Sequence, residues 1–298
     1  MSEILLSVKN LRQHFKISRT FTVKAVNGVS FDIGAGETFG LVGESGSGKS
    51  TIGRSIIRLY DPTDGEIIFN GKKISGTLDK QTNKMLRKNM QMVFQDPMSC
   101  LNPRRKIGDT IGEGLDIHGL YGNSAERNAL ISEILRKVGL SPAHAERYPQ
   151  QFSGGQRQRV GLARALIMKP KLIIADECIS ALDVSIQAQV VNLMKDIQAE
   201  THCAYLFIAH DLSMVKYISD RIGVLHKGYL VETGTTKEIF SEPAHPYTRS
   251  LLSAVPQPNP AVERHRNLIP YDAANANYEN VAMRKLSDTH FVLSNEID

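Results

Sequence analysis

The sequence predicts an α/β fold, and three stretches carry that prediction. Residues Glu37 to Thr51 read ETFGLVGESGSGKST, in which a short apolar run, Thr38 to Val42, ends in a glycine-rich turn and Lys49-Ser50-Thr51 opens a helix. Lys171 to Glu177 (KLIIADE) is a continuous apolar run suited to a central parallel strand buried on both faces, and it closes on two carboxylates. Tyr205 to Ala209 (YLFIA) is a further core strand with His210-Asp211 at its tip.

The first stretch has the makings of a phosphate cradle. Glycines let several backbone N–H groups point into one concavity, and the helix N-terminus adds partial positive charge. Lys49 adds a full charge and Ser50 offers a hydroxyl to Mg²⁺. Gly43, Glu44, Ser45, Gly46, Ser47, Gly48, Lys49, Ser50 and Thr51 are therefore the predicted contacts of a nucleoside triphosphate. In the second stretch, Asp176 stands where it can bind Mg²⁺ directly or through water, and Glu177 where it can orient or deprotonate a water molecule. A mere helix cap at Asp176 would leave the pairing of two carboxylates with a phosphate loop unexplained. His210, at the end of a core strand, is a candidate ligand of the γ-phosphate.

Composition permits this and narrows the rest. At 298 residues there is room for one large α/β domain with a subdomain or tail, and with 41% hydrophobic and 22% charged residues a real core is available. The formal charge of +5 comes without a long basic run; Arg104-Arg105-Lys106 is the densest patch, so a solvated surface is expected rather than a nucleic-acid face. Cys100, Cys178 and Cys203 lie far apart, which argues against a disulfide frame, an iron–sulfur cluster or a zinc site and for a reducing compartment. No apolar run is long enough to cross a bilayer, and MSEILLSVKN is too short and polar for a signal peptide. Any membrane crossing falls to other chains.

Taken in order, Leu5 to Val8 and Thr22 to Ile33 read as strands separated by polar turns. Phe15 and Phe21 lie between them; Phe15 is the candidate to stack on an adenine base, although either ring could instead cap the sheet core. The helix after the cradle is expected to reach about Tyr60, where Asp61-Pro62-Thr63-Asp64-Gly65 stops it. Glu66 to Asn70 and Met90 to Gln95 are the next strands, and Gln95 ends the second where α/β enzymes place ligand contacts. From Ser99 to about Leu166 the pattern is helical. Ser124 can cap a helix with the apolar stripe Ile131, Ile134, Leu135 and Val138, and Gly139 stops it. Phe152-Ser153-Gly154-Gly155-Gln156 opens another helix and prepares a second N-terminus for an anion. Val184 to Glu200 reads as a helix, Arg221 to Val231 as a hairpin turning at Lys227-Gly228, Lys237 to Phe240 as a helix, and His245 starts a last helix through Ala254. Pro256, Pro258 and Pro260 make a stiff linker, and residues 261–298 are polar with little periodicity.

In order, GESGSGKST, Gln95, FSGGQRQR, LIIADE, SALD and His210 resemble the motifs of the ATP-binding-cassette (ABC) ATPases over residues 1 to about 235. The resemblance implies a RecA-like P-loop core with an antiparallel β-subdomain (1–98 and 165–235), an inserted helical subdomain (99–164), and C-terminal helices with a proline-rich tail (236–298). It implies ATP and Mg²⁺ as cofactors. Lys49 would contact the β and γ phosphates, with Ser50, Gln95 and Asp176 around Mg²⁺, Glu177 as general base and His210 on the γ-phosphate. In that family cassettes pair head to tail, so Ser153, Gly154, Gly155 and Gln156 would close over the partner's ATP and Asp183 would shape the dimer interface. QDPMSCLNPR and HPYTRSLLSAVPQPNP are similar to segments of the ATP-binding subunits of oligopeptide, dipeptide and nickel permeases, especially the second of their two ATPase chains. The implied protein is a peripheral subunit on the cytoplasmic face that drives oligopeptide import. Its implied partners are a related second ATPase, two membrane-spanning permease chains and an external solute-binding protein, with no nucleic acid. Dipeptides, nickel or another small solute are the alternative cargoes, and a soluble ABC ATPase acting on nucleic acid is the rival from another class. The chain departs from the family pattern at Cys178-Ile179, where Pro-Thr is common, and it lacks the C-terminal cysteine cluster of some relatives.

Overall fold

The computed structural model describes residues 3–96, 100–180, 182–256, 267–274, 276–279 and 281–294. Two units divide the chain: one comprises Ile4–Ile33, Thr38–Gly76 and the residues from Phe207 onward, the other chiefly Gly34–Glu37 and Thr77–Leu206.

In the first unit, β1 (Ile4–Lys16), β2 (Thr22–Gly34), β4 (Asp64–Phe69) and β5 (Lys72–Lys73) form an antiparallel sheet in the order β2-β1-β4-β5. Leu6 stands opposite Phe69 and Val8 opposite Ile67. β1 continues well past the expected Val8 through an irregularity: Asn10 takes φ 49°, the pairing register with β4 shifts between Lys9 and Arg12, and Leu11 and Gln13 are buried beyond it. The unit's other sheet runs β11-β12-β10-β9-β3, where β3 is Thr38–Val42, β9 Arg221–His226, β10 Tyr229–Thr235, β11 Met283–Lys285 and β12 Phe291–Leu293. β3 and β9 are parallel, Phe39 facing Arg221 and Val42 facing Val224. The β9–β10 hairpin turns at Lys227 and Gly228 as expected, both at positive φ (47° and 82°), the conformation a right-twisted hairpin favours. The tail read as featureless contributes β11 and β12. Three residues each are too few to show a period in the sequence; β12 becomes a strand by pairing with β10, and β11 by pairing with β12.

The unit's helices are α1 (Lys49–Ile56), α7 (Leu212–Ile218), α8 (Thr236–Ser241) and α9 (Pro246–Ser253). α1 stops before the expected Tyr60: Arg58 takes φ 66°, and the Leu59 and Tyr60 amides both turn back to the Arg54 carbonyl, at 2.9 and 3.2 Å.

The second unit pairs β6 (Met90–Val93) in parallel with β7 (Leu172–Asp176), Met90 facing Leu172. β6 ends at Val93, two residues earlier than expected. The unit's helices are α2 (Lys80–Asn89), α3 (Ile107–His118), α4 (Ser124–Lys137), α5 (Gly154–Leu166) and α6 (Val184–Thr201); β8 (Ala204–Ile208), buried throughout, follows α6, and its last two residues belong to the first unit. α2 has no apolar stripe, since only Thr82 and Leu86 are buried; its start is set by Asp79, which accepts the Thr82 N–H at 2.8 Å. The cap of α4 is Asn123 rather than Ser124, accepting the Glu126 N–H at 3.0 Å from an extended backbone, which leaves Ser124 as the first helical residue. The predicted stripe is buried, and Gly139 takes φ 72° just past the helix.

Candidate functional site

β3 is buried at all five positions and aims the chain straight into the glycine turn. Gly43 (φ 148°) and Gly48 (φ 105°) could be nothing else. A Cβ would come within 2.1 Å of the Leu225 carbonyl oxygen at the first and 2.4 Å of the Ala25 carbonyl oxygen at the second. Gly46 (φ 80°) is open, with nothing within 4 Å of where its Cβ would be. The turn is thus wedged against two strands at its ends and bare at its middle, which is the shape a phosphate group needs. Gly228 donates its N–H to the Ser47 carbonyl at 2.9 Å and so ties the turn to the hairpin. The Ser47 hydroxyl is buried with no hydrogen-bond partner among the described residues.

Lys49, nearly fully buried, folds its ammonium onto the turn's own carbonyls, 2.8 Å from Gly43 O and 2.8 Å from Glu44 O. Phosphate oxygens are stronger partners for an ammonium than these neutral carbonyls, and the lysine is held close to the turn where they would lie. On the far side, the Glu44 N–H donates to the Tyr247 hydroxyl at 3.1 Å. No sequence signal marks Tyr247 as a neighbour of the turn, because the pair is 203 positions apart. Thr51 and Ser50 lie in the first turn of α1.

Phe15 is half-buried with its ring edge-on to Tyr60, centroids 5.2 Å apart, while Phe21 is 58% exposed. His210 is exposed at the end of β8; the next residue, Asp211, caps α7 by accepting the Ser213 N–H at 2.8 Å.

In the second unit, Asp176 ends β7 and is 2% exposed, while Glu177 is half-buried at φ 47°. Few non-glycine residues adopt that conformation, and here the Ser180 amide and hydroxyl hold it, donating to the Glu177 carbonyl at 3.1 and 2.9 Å. Cys178 and Ile179 are buried beneath the turn, and the Gln187 side-chain amide donates to the Ile179 carbonyl at 3.1 Å. Burial pushes the Cys178 and Cys203 thiols up to about 12, so neither is a thiolate at neutral pH. Gln95 lies exposed beyond β6; Pro97 to Ser99, and Ala181 of SALD, fall outside the described residues.

Ser153 caps α5 in a reciprocal box: its Oγ accepts the Gln156 N–H at 3.4 Å, and Gln156 Oε1 accepts the Ser153 N–H at 3.0 Å. Ser153 and Gly154 are exposed, and a Cβ on Gly155 would meet Ile186 Cγ2 at 2.6 Å. Asp183, the residue before α6, is exposed and makes no capping bond with its side chain; beside it Val184 is 73% exposed. The Arg105–Lys106 patch is largely neutralised by Glu113 (2.5 Å) and Glu146 (2.6 Å).

Ser50, Gln95 and Asp176 offer a hydroxyl, an amide oxygen and a carboxylate, the hard oxygen donors that suit Mg²⁺. Among the described residues no group of three or more His, Cys, Asp or Glu is gathered as a metal cage. A Mg²⁺ ion completed by phosphate oxygens and water needs no such cage, so the chemistry of each of these donors is compatible with it.

A family model described as "ABC transporter" matches residues 26–180. The chain belongs to the ABC transporter family. A second model of that kind, "Oligopeptide/dipeptide transporter, C-terminal region", matches residues 231–278 of this ABC protein. The oligopeptide transport ATP-binding protein OppF of Bacillus subtilis (strain 168) is 56% identical over 301 residues, covering 100% of this chain and 98% of that protein. The dipeptide transport ATP-binding protein DppF of Lactococcus lactis subsp. cremoris (strain MG1363) is 54% identical, covering 99% and 95%. Among solved structures, the dimeric post-hydrolysis state of the ATP-binding cassette MJ0796 bound to ADP and Pi matches with a TM-score of 0.71 at 29% identity, covering 78% of this chain and 99% of that one.

Proposed function

We propose that this ABC protein is the ATP-hydrolysing subunit of an importer that carries oligopeptides across the cell membrane. The observation that carries the reading is end-to-end similarity to the two peptide-transport ATP-binding proteins, in a chain whose glycine turn and Lys49 are shaped to grip a triphosphate. The likeness to the dipeptide protein makes dipeptides the second cargo reading.

In the proposed reaction, Gly43 to Thr51 holds the phosphates on backbone N–H groups, and Lys49 leaves its two carbonyls for the β and γ oxygens. Ser50, Gln95 and Asp176 would hold Mg²⁺, which when bound neutralises charge on the phosphates. Glu177, fixed by its turn, takes the proton of the attacking water, and His210 donates to the γ-phosphate. Phe15 is the proposed stacking surface for adenine. Because positioning and charge stabilisation dominate phosphoryl transfer, an incomplete set of donors would bind ATP but turn it over poorly. Ser153 to Gln156 supplies the missing donors to the cradle of a paired cassette, with Asp183 at the edge of that interface. The proposed pairing is with a related second ATPase, and the pair docks on two permease chains fed by a solute-binding protein. No described helix is long and apolar enough to cross a membrane, so the chain is proposed to sit peripherally on the cytoplasmic face.

The test uses the full complex in proteoliposomes. Glu177→Gln keeps size and removes the base: ATP should still bind, while hydrolysis and peptide uptake fall at least about 100-fold, the scale of a lost general base. Full turnover in that variant would remove Glu177 from the mechanism. Purification with nucleic acid in place of permease chains, with steep salt dependence, would replace transport by the nucleic-acid reading.

A further inference from the structure

A side chain from the C-terminal region reaches the phosphate turn from outside it. The Glu44 N–H donates to the Tyr247 hydroxyl at 3.1 Å, and the carbonyl of the same peptide group, Gly43 O, accepts from Lys49 Nζ at 2.8 Å. One planar peptide therefore links the catalytic cation to a tyrosine on α9, and a hydrogen bond at one end of an amide strengthens the bond at the other.

Tyr247 is itself held on several sides. It is 2% exposed; its ring stacks on His226 at 4.1 Å and meets Tyr271 edge-on at 5.4 Å. His226 Nδ1 is 2.7 Å from the Tyr278 hydroxyl, which is 2.8 Å from that of Tyr271. Below it, His245 Nδ1 accepts the Tyr247 N–H at 3.1 Å, and the Glu232 carboxylate accepts the amides of Ala244 and His245 at 2.8 and 3.0 Å. Burial pushes the Tyr247 hydroxyl up to about 12, so at neutral pH it is an uncharged acceptor. These contacts fix the Tyr247 ring and backbone, and so the place of the hydroxyl that accepts from the turn.

We propose that Tyr247 is a positioning residue for ATP binding: its hydroxyl pins the Gly43–Glu44 peptide and so preorganises the carbonyls from which Lys49 departs to meet the phosphates. This rests on the reading of Gly43 to Thr51 as the triphosphate cradle. A turn fixed before ligand arrives spends no affinity on ordering itself. Because the turn stays in use from binding through transition state, loosening it weakens both equally, so KM rises while kcat holds.

The experiment compares Tyr247→Phe, Tyr271→Phe and Lys49→Ala in the full-length chain, measuring ATP affinity by calorimetry and thermal stability. ATPase kinetics are measured in the assembled transporter. Tyr247→Phe keeps the ring stack and loses one hydrogen bond; Kd and KM for ATP should rise about fivefold to tenfold, with kcat changed less than about twofold. Tyr271→Phe removes a hydroxyl from the same cluster without touching the turn, and should leave both constants as they are. Unchanged affinity in Tyr247→Phe, a loss confined to kcat, or an equal loss in Tyr271→Phe overturns the role of Tyr247 while leaving the cradle in place. Wild-type affinity in Lys49→Ala overturns the cradle itself, and this proposal with it.

Discussion

Glu177 occupies a backbone conformation that costs a side chain about 1–2 kcal/mol, and it does so at the position where the general base is expected. Strain there is consistent with a carboxylate aimed by its turn rather than by its rotamer. The idea separates two substitutions that both remove the carboxylate. Glu177→Ala keeps a Cβ in the left-handed region, whereas Glu177→Gly releases the strain at the expense of a more flexible unfolded chain, a loss of about 0.4–1 kcal/mol. The glycine variant should therefore unfold at the higher temperature, by the equivalent of roughly 0.5–1 kcal/mol, with both variants inactive. Equal stability of the two would show that the turn stores no strain. Residues Gly43 to Thr51 and the pair Asp176-Glu177 were legible in the sequence because cradle and carboxylates are each defined by neighbours in the chain. The positive φ of Glu177 was not, since no glycine or asparagine announces it, nor was Tyr247, whose hydrogen bond to the turn is purely tertiary.

Elements were legible in proportion to how much apolar surface they bury. β3, β7 and β8 are buried at every position and stood out as unbroken apolar runs, whereas α2, with two buried residues, and the short strands β11 and β12 did not. β8 carries one inconsistency within its run. Tyr205 is fully buried, and its hydroxyl finds no hydrogen-bond partner among the described residues; burial also drives its pKa far up. A buried hydroxyl without a partner retains its desolvation cost, about 1–3 kcal/mol, while the ring contributes the packing. Tyr205→Phe should then be neutral or stabilising by up to about 1 kcal/mol in denaturant unfolding, whereas Tyr205→Ala should cost about 3–5 kcal/mol. A clear loss of stability in the phenylalanine variant would mean that the hydroxyl is satisfied in solution.

For the molecule as a whole, the functional groups fall into two kinds: the cradle is built into the chain, while Ser153, Gly154, Asp183, Gln95 and His210 lie exposed. Gln95, His210 and the start of α5 were marked in the sequence by their places at strand ends and a helix N-terminus, whereas the pairing roles proposed for Ser153, Gly154 and Asp183 came only with the family resemblance. Stability is a whole-chain property, and on the acid side of neutrality the shifted histidines and Glu238 all bias it downwards as pH falls. Burial holds His118, His144 and His226 below the ordinary histidine value and takes His245 down to about 4, despite the opposing charge of Glu232. A histidine depressed in the folded state is protonated first in the unfolded chain. Its contribution is therefore intact above about pH 6.5, falls as pH drops through the window to about 4, and is fully lost below it. Glu238 adds a second, more acid window. Burial pushes its carboxyl up, but bonds from Ser287, Thr235 and Thr289 outweigh that and bring it to about 2, so its contribution is lost below about pH 4.5. The melting temperature should thus be flat from pH 8 to 7 and decline steadily below about 6.5, with the near-ultraviolet signal of the tyrosine cluster lost in the same transition. His245→Asn keeps a good helix cap and removes the titration, so its decline between pH 6.5 and 4 should be shallower than that of the wild type. Parallel declines would show that His245 titrates alike in the folded and unfolded chains, and that the C-terminal cluster does not set the acid sensitivity of the protein.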